Sequence, residues 1–405
     1  MNRRTSGNAG GPPPDVLFVG HDATRTGAPL MLLYFMRWLR DNTDLTFQLV
    51  VVDGGPLVDD FAAVAPVIVL ADLGGGRVSR ALERMGLGRF AAVGRRSRER
   101  AAVRSLRRAP VVYCNSISSV SVLPLLGPPD PSRVVITHVH EMEGAFRSTS
   151  REVLEILFSA TDRFVAASER VRRLLMDTYD VEPELVVRHY EFIDVEAMAG
   201  TPPEDGEVLA ARERCGIPAT AGVVGAVGVT QWRKGPDLFL LLAQVLRSRP
   251  DGREVHFVWV GADPDADETI ALRKDIERAG LGDRVHLLGP DPSPARWFRL
   301  FDVYVLTSRE DPFPLVCLES SLLGTPIVCF DNTGMAEFAG DGDCGYMVDY
   351  LDVEAMADRV TMLLDDPELR RVVGERAATR VRSEFDVSVG APSLYRDIEA
   401  WWPRP

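Results

Sequence analysis

Lysine is almost missing from this 405-residue chain: only Lys234 and Lys274 occur, so 44 of the 46 basic residues are arginine. Basic residues are also outnumbered, 46 against 59 acids, for a formal net charge of −13. Binding nucleic acid by neutralising phosphates needs a basic surface, so that role is excluded as the general one. Cysteine is scarce too. The five at 114, 215, 317, 329 and 344 are odd in number and contain no CxxC pair. A disulfide framework or zinc site is not expected, and reduced thiols in a cytosolic protein fit better. No apolar run reaches the ~18 residues that a membrane span requires. The opening MNRRTSGNAGGPPP is basic without an apolar h-region, and reads as a disordered tail (1–12) rather than a signal peptide.

What is present is an ordinary globular composition, 46% apolar and 26% charged, on a chain long enough for two or three domains. Short β-branched runs alternate with helical patterns throughout. Strands are expected at 16–20, 47–52, 66–70, 111–114, 134–138, 162–167 and 185–189, then at 222–228, 256–261, 285–288, 303–306, 326–330 and 345–348. Helices fit at 29–39, 169–177, 236–247, 267–279, 314–323 and 353–364. This alternation predicts an α/β protein with parallel sheets covered on both faces. Two such runs predict two doubly wound, Rossmann-like domains, 13–197 and 198–384, with the boundary in the Pro/Gly-rich stretch Gly200–Gly206. Ligands of open parallel sheets bind beyond the carboxyl ends of the strands, so the informative residues should follow strands directly, around a cleft between the domains.

Four motifs do so. Gly20-His-Asp-Ala-Thr-Arg-Thr-Gly27-Ala28-Pro29 follows the first strand. Small Gly27 and Ala28 admit close approach of a ligand, Pro29 suits a first helical turn, and free N–H groups there can hold an anion. An ordinary strand-to-helix turn would look the same. Gly228-Val-Thr-Gln-Trp-Arg233-Lys234-Gly235-Pro236 follows another strand. Its adjacent cations oppose the dipole of the helix they precede, which suits a phosphate better than a purely structural turn. Ser308-Arg-Glu310-Asp311-Pro-Phe313-Pro314-Leu315-Val316-Cys-Leu-Glu319 runs from a strand through two acids into a helix. The N–H groups of Leu315 and Val316 suit a diphosphate, the Glu319 carboxylate suits vicinal ribose hydroxyls, and Asp311 suits sugar hydroxyls. The bland alternative is a capped helix with a solvated acid pair. Last, Thr137-His138-Val139-His140-Glu141 ends a strand, with alternation sending both histidines to one side.

Taken together, these motifs resemble those of the retaining GT-B glycosyltransferases of family GT4, from Gly20 to about Arg382. The family's E-x7-E pattern and the following G-T-P-[IV]-V strand are similar to DPFPLVCLESSLLGTPIV, with Asp311 in the first acid position and Glu319 in the second. Glu310 is the alternative first acid. The family's G-R-L-x-x-x-K-G stretch aligns with Gly228–Gly235, where Val229 replaces the arginine and Arg233 can supply the charge. His140-Glu141 matches the family's His beside the transferred sugar. Phe192-Ile-Asp194, Gly334–Glu337 and Leu287-Leu288-Gly289 are further echoes. The resemblance implies a GT-B fold and a front-face retaining mechanism. The donor would be a UDP- or GDP-sugar held by the C-terminal domain, and the acceptor a glycan, lipid or small molecule on the N-terminal one. Segment 385–405 would be a helix crossing back. His140, Lys234, Arg233 and Asp311 would be catalytic. Gly27, Ala28, Leu288, Phe313, Pro314, Leu315, Val316 and Glu319 would bind the donor. With no metal-chelating DxD arrangement in the cleft motifs, neither a metal nor a cofactor is expected. A sugar-nucleotide epimerase and a non-catalytic binding protein stay open as alternatives.

Residues 77–108 stand apart. They hold eleven arginines and two glutamates, a net +9 that leaves −22 on the rest. Interleaved apolar residues make the segment suited to an anionic acceptor or to peripheral contact with the inner face of a membrane, though a solvated surface excursion reads equally well.

Overall fold

The computed structural model describes residues 12–74, 88–199, 204–250, 253–292 and 294–403. The expected tail, apart from Pro12, and residues 77–87 of the basic segment lie outside this range.

Strands form where the β-branched runs stand. The first sheet comprises β1 (Val16–Gly20), β2 (Phe47–Val51), β3 (Val67–Val69), β4 (Val111–Cys114), β5 (Val134–Val139), β6 (Arg163–Ala166) and β7 (Val186–Arg188), in the order β3-β2-β1-β4-β5-β6-β7. The second comprises β8 (Gly222–Val227), β9 (Val255–Val260), β10 (Val285–Leu288), β11 (Val303–Leu306), β12 (Ile327–Phe330) and β13 (Gly345–Val348), in the order β10-β9-β8-β11-β12-β13. Every pairing is parallel, as in Val16 opposite both Phe47 and Val111. Central strands such as β1 and β9 are buried along their whole length, which explains their unbroken apolar runs. In both sheets the strand order reverses about the first strand, between β1 and β4 and between β8 and β11. Helices turn from the sheet there to opposite sides, leaving a crevice beyond the strand ends.

Amphipathic helices cover these sheets. Gly27–Asn42 buries Met31, Leu32, Phe35, Met36 and Leu39, and Pro236–Ser248 buries Leu238, Phe239, Leu242, Ala243 and Leu246. Helices also form at Asp205–Arg214 and Pro367–Glu384, where none is expected from apolar periodicity. The latter is rich in Arg and Glu, and its buried stripe is Val373, Gly374, Ala377, Ala378 and Val381, too small-sided to stand out as an apolar face.

The chain divides into two units. The first contains the residues up to Ala167, Val171–His189 and Ala391–Pro405; the second contains Ser168–Arg170 and Tyr190–Gly390. The handover between units lies at His189–Tyr190, and residues 200–203 of the stretch expected from composition lie outside the described residues. Just beyond the handover, within the second unit, the Ile193 N–H donates to the Phe385 carbonyl at 2.9 Å. The helix Val387–Ala400 is shared between the units. Its later part is held in the first by Tyr395 against the Trp38 ring, at 5.9 Å between centroids, and by Asp397 2.7 Å from His189 Nε2. Among the described residues, no helix is long and apolar enough to cross a membrane. All five cysteines are free.

Candidate functional site

In the second unit, the loops after β8 and β11 leave the sheet on either side of its switch point, and they bring Lys234 and Asp311 together. Lys234 Nζ lies 2.5 Å from Asp311 Oδ2, with only 13% and 6% of the two side chains exposed. The same carboxylate oxygen accepts from Ser308 Oγ at 3.0 Å. A pair this far out of water holds only because each charge has its counter-charge and added hydrogen bonds.

Backbone geometry sets the position of Lys234. Gly235 has φ +67, and a Cβ there would stand 2.0 Å from the Thr307 carbonyl oxygen, so conformation and space both demand glycine. Thr307 Oγ1 donates to the Gly235 carbonyl at 2.9 Å, locking the two loops together. Arg309 completes the brace. Its N–H donates to the Arg233 carbonyl at 2.7 Å, while its guanidinium donates to the Trp232 carbonyl at 2.9 Å and grips Asp237 at 2.8 and 2.6 Å. The bidentate Arg309 holds the Asp237 carboxyl below its usual range.

Pro314 is the N-cap of the helix Leu315–Leu322, and no side chain caps that terminus, which leaves the Leu315 and Val316 N–H groups available to an anion. Glu319 lies one turn in, where burial pushes its carboxyl up to about 7. Phe313 is only 2% exposed, stacked on Tyr190 at 4.7 Å and Phe385 at 5.4 Å. Its ring is thus a packing element that fixes the start of the helix. Gly334 lets this loop close: its N–H donates to the Asp311 carbonyl at 2.9 Å, and a Cβ would overlap the Pro312 carbonyl oxygen. The Leu288 carbonyl, at the end of β10, accepts from Gly261 and Ala262 at 3.0 and 2.8 Å.

The first unit repeats the arrangement with other chemistry. The loops after β1 and β4 flank its switch point. There Asn115, 1% exposed, donates from Nδ2 to the Ala28 carbonyl at 2.9 Å and places Oδ1 3.1 Å from His140 Nε2. The His138 ring, on β5, and the His140 ring, just after it, lie 3.9 Å apart on the one side that alternation gives them. His138 is fully buried, with Nδ1 2.7 Å from the Tyr113 hydroxyl, and burial holds its pKa well below the usual value. Its ring packs against that of His140. Glu141 turns back to accept the N–H groups of His140 at 2.9 Å and Ile117 at 3.3 Å, and so braces the strand end. Gly27 and Ala28 form the first turn of their helix.

Asn115 and Arg309 were not singled out from the sequence. A turn asparagine and a loop arginine are common, and their partners lie 87 and 72 residues away.

Comparison with known proteins supplies the context. Residues 209–380 match the family model described as Glycosyl transferases group 1. A D-inositol 3-phosphate glycosyltransferase of Thermobispora bispora is 31% identical over 246 residues, which is 59% of this chain and 56% of that protein. Its counterpart in Corynebacterium glutamicum is 29% identical over 231 residues, 56% and 55% of the two chains. This chain therefore matches just over half the length of these relatives. Anabaena HepE, solved in complex with UDP and glucose, gives a TM-score of 0.78 at 19% identity, over 96% of this chain and 100% of that one. Sucrose-phosphate synthase of Thermosynechococcus elongatus gives 0.73 at 18% identity, over 95% and 98%. These likenesses show that the two parallel sheets are those of the GT-B fold.

Proposed function

We propose, from the membership of residues 209–380 in the Glycosyl transferases group 1 family (GT4), that the chain is a retaining glycosyltransferase moving a hexose from a UDP-sugar to an acceptor hydroxyl. The observation that carries this reading is the meeting of Lys234 and Asp311 at the switch point of the second sheet, with Glu319 on the helix that follows. HepE is described in complexes with UDP and with UDP-glucose, which favours UDP as the nucleotide.

In this reading Lys234 exchanges Asp311 for the donor diphosphate. Arg233 and the N–H groups of Leu315 and Val316 add donors where negative charge develops on the leaving group. Asp311, released, accepts hydroxyls of the sugar, and Glu319 accepts those of the ribose. His140, whose ring Asn115 holds, is the further residue assigned to the reaction. The acceptor oxygen bonds to the anomeric carbon on the face from which the diphosphate departs, and its proton passes to the leaving phosphate oxygen. The anomeric configuration is thereby kept.

The test is turnover of a panel of UDP- and GDP-sugars, with UDP or GDP release and product anomer read by NMR. Transfer with the donor's configuration supports the reading. An inverted product overturns it, as does sugar-nucleotide epimerisation without transfer.

A further inference from the structure

One pocket of the first unit is built entirely from that unit's own residues and is not used by the donor chemistry above. It has a volume of about 510 Å³ and lies beyond the carboxyl ends of β1 and β2, against the start of the helix Arg151–Ala160. Asp22, Asp53, Ser121, Ser148 and Thr149 line it, with His21 beside Asp22.

Acceptors predominate on this wall, which also carries three donors: the His21 ring, whose Nδ1 has no partner, and the hydroxyls of Ser118 and Ser150. Ser121 Oγ donates to the Ser118 carbonyl at 2.8 Å; Ser148 Oγ and Thr149 Oγ1 both donate to the Ala145 carbonyl, at 3.0 and 2.8 Å. A hydroxyl carries one proton, so each of the three has only lone pairs left for a ligand. Asp22 and Asp53 are acceptors as well. The Asp22 carboxylate is oriented by Thr24, whose N–H and hydroxyl reach Oδ1 at 2.9 and 2.8 Å. Asp53 carries no side-chain hydrogen bond or ion pair among the described residues, so its carboxylate is free for a ligand. The helix terminus on the rim does not reverse this sense. Ser150 already accepts its Val153 N–H at 3.4 Å, and Glu152 adds a negative charge in its first turn. No lysine or arginine is among the described residues lining the pocket.

We infer that this pocket receives the acceptor, and that the part entering it is an uncharged, hydroxyl-rich polyol or sugar rather than a phosphorylated one. The inference rests on the glycosyltransferase reading and sharpens it. A polyol presents several O–H donors to five acceptors. A polyol's hydroxyls can also accept from the His21 ring and the serine hydroxyls, whereas a phosphate would set a dianion against two carboxylates with no lysine or arginine to offset it. The chain would in this respect part from the relatives named for D-inositol 3-phosphate.

The experiment compares myo-inositol, methyl glucoside and D-inositol 3-phosphate by ligand-observed NMR on the full chain, with UDP affinity measured in parallel. A neutral polyol should bind at least tenfold more tightly than inositol 3-phosphate. Asp53→Lys should reverse that order, with UDP affinity within twofold of wild type. Asp53→Ala should weaken the neutral ligand at least threefold. Preference of the unaltered protein for inositol 3-phosphate overturns the inference, and so does binding of neither class when UDP binds. Loss of the order of preference is read directly from the polyols. Failure of the glycosyltransferase reading shows instead as absence of UDP binding, so the two are distinguishable.

Discussion

Lys234 and Asp311, 77 residues apart in sequence, form a nearly water-free ion pair at 2.5 Å. Each loses its counter-charge when the other is removed. Lys234→Ala should therefore lower stability by roughly 3–5 kcal/mol, as for other buried pairs broken on one side. Lys234→Met with Asp311→Asn together should cost less than either Lys234→Met or Asp311→Asn alone. Urea unfolding of the four proteins checks this; additive losses would count against a coupled pair.

The same lysine should matter more to turnover than to substrate binding. In a folded Lys234→Ala protein, loss of one donor to the leaving diphosphate should lower kcat and kcat/KM together, by the equivalent of roughly 2–4 kcal/mol, with KM little changed. Unchanged steady-state kinetics would remove Lys234 from the reaction.

Asp311 and Glu319 should divide their work between sugar and ribose. Calorimetry should show Glu319→Ala weakening UDP itself, and Asp311→Ala weakening UDP-sugar while sparing UDP. An equal loss of both ligands in both variants would contradict the division. Glu319 also predicts a pH effect. Burial disfavours the charged form and pushes its carboxyl from the ordinary 4.5 up to about 7. The folded state then holds more protons than the unfolded between these values. This contribution is fully present below pH 4.5 and is lost as pH rises through 7. Glu319→Gln should flatten the stability profile across that window.

Asn115 is expected to act through His140. Asn115→Ala should reduce kcat at least fivefold in the wild-type background and change little when His140 is already alanine. Additive effects in this double-mutant cycle would indicate that Asn115 serves only to hold Ala28.

The basic segment gives a prediction of its own. Arg95, Arg96, Arg98 and Arg100 are all exposed, whereas Val103 and Leu106, at its end, are buried in the core of the first unit. Replacing those four arginines by Gln should reduce binding to anionic liposomes, most visibly at low salt, since each is worth about 1 kcal/mol near such a surface. UDP affinity should be unchanged. Wild-type liposome binding and acceptor turnover at low salt would mark the segment as a solvated surface.

Much of this could be read along the chain because parallel strands buried on both faces leave unbroken β-branched runs, as at Val16–Gly20 and Val255–Val260. Residues that follow such runs, Lys234 and Asp311 among them, were legible as candidates for the same reason. Their attachment to one another was not. It depends on two loops converging at a switch point, and local periodicity carries no information on that. Asn115 escaped notice similarly: its meaning comes from Ala28 and His140, which approach it only once β1, β4 and β5 lie side by side. The helix Pro367–Glu384 was missed for a different reason, since its small buried residues leave the charged ones to dominate any hydropathy window.

The shared helix Val387–Ala400 has a consequence in time. The strands of the first unit are complete by Arg188, yet Tyr395 and Asp397, which pack against Trp38 and His189, are made only after the whole of the second sheet. The second unit, by contrast, is nearly contiguous from Tyr190 to Gly390. The half made first is thus the half finished last, and its exposed surface must wait through the synthesis of some two hundred intervening residues, at roughly 5–20 residues per second. Chains interrupted before Ala391 would leave that surface open. Recovery of soluble protein from a nested series of 3′ truncations should fall abruptly once that helix is shortened.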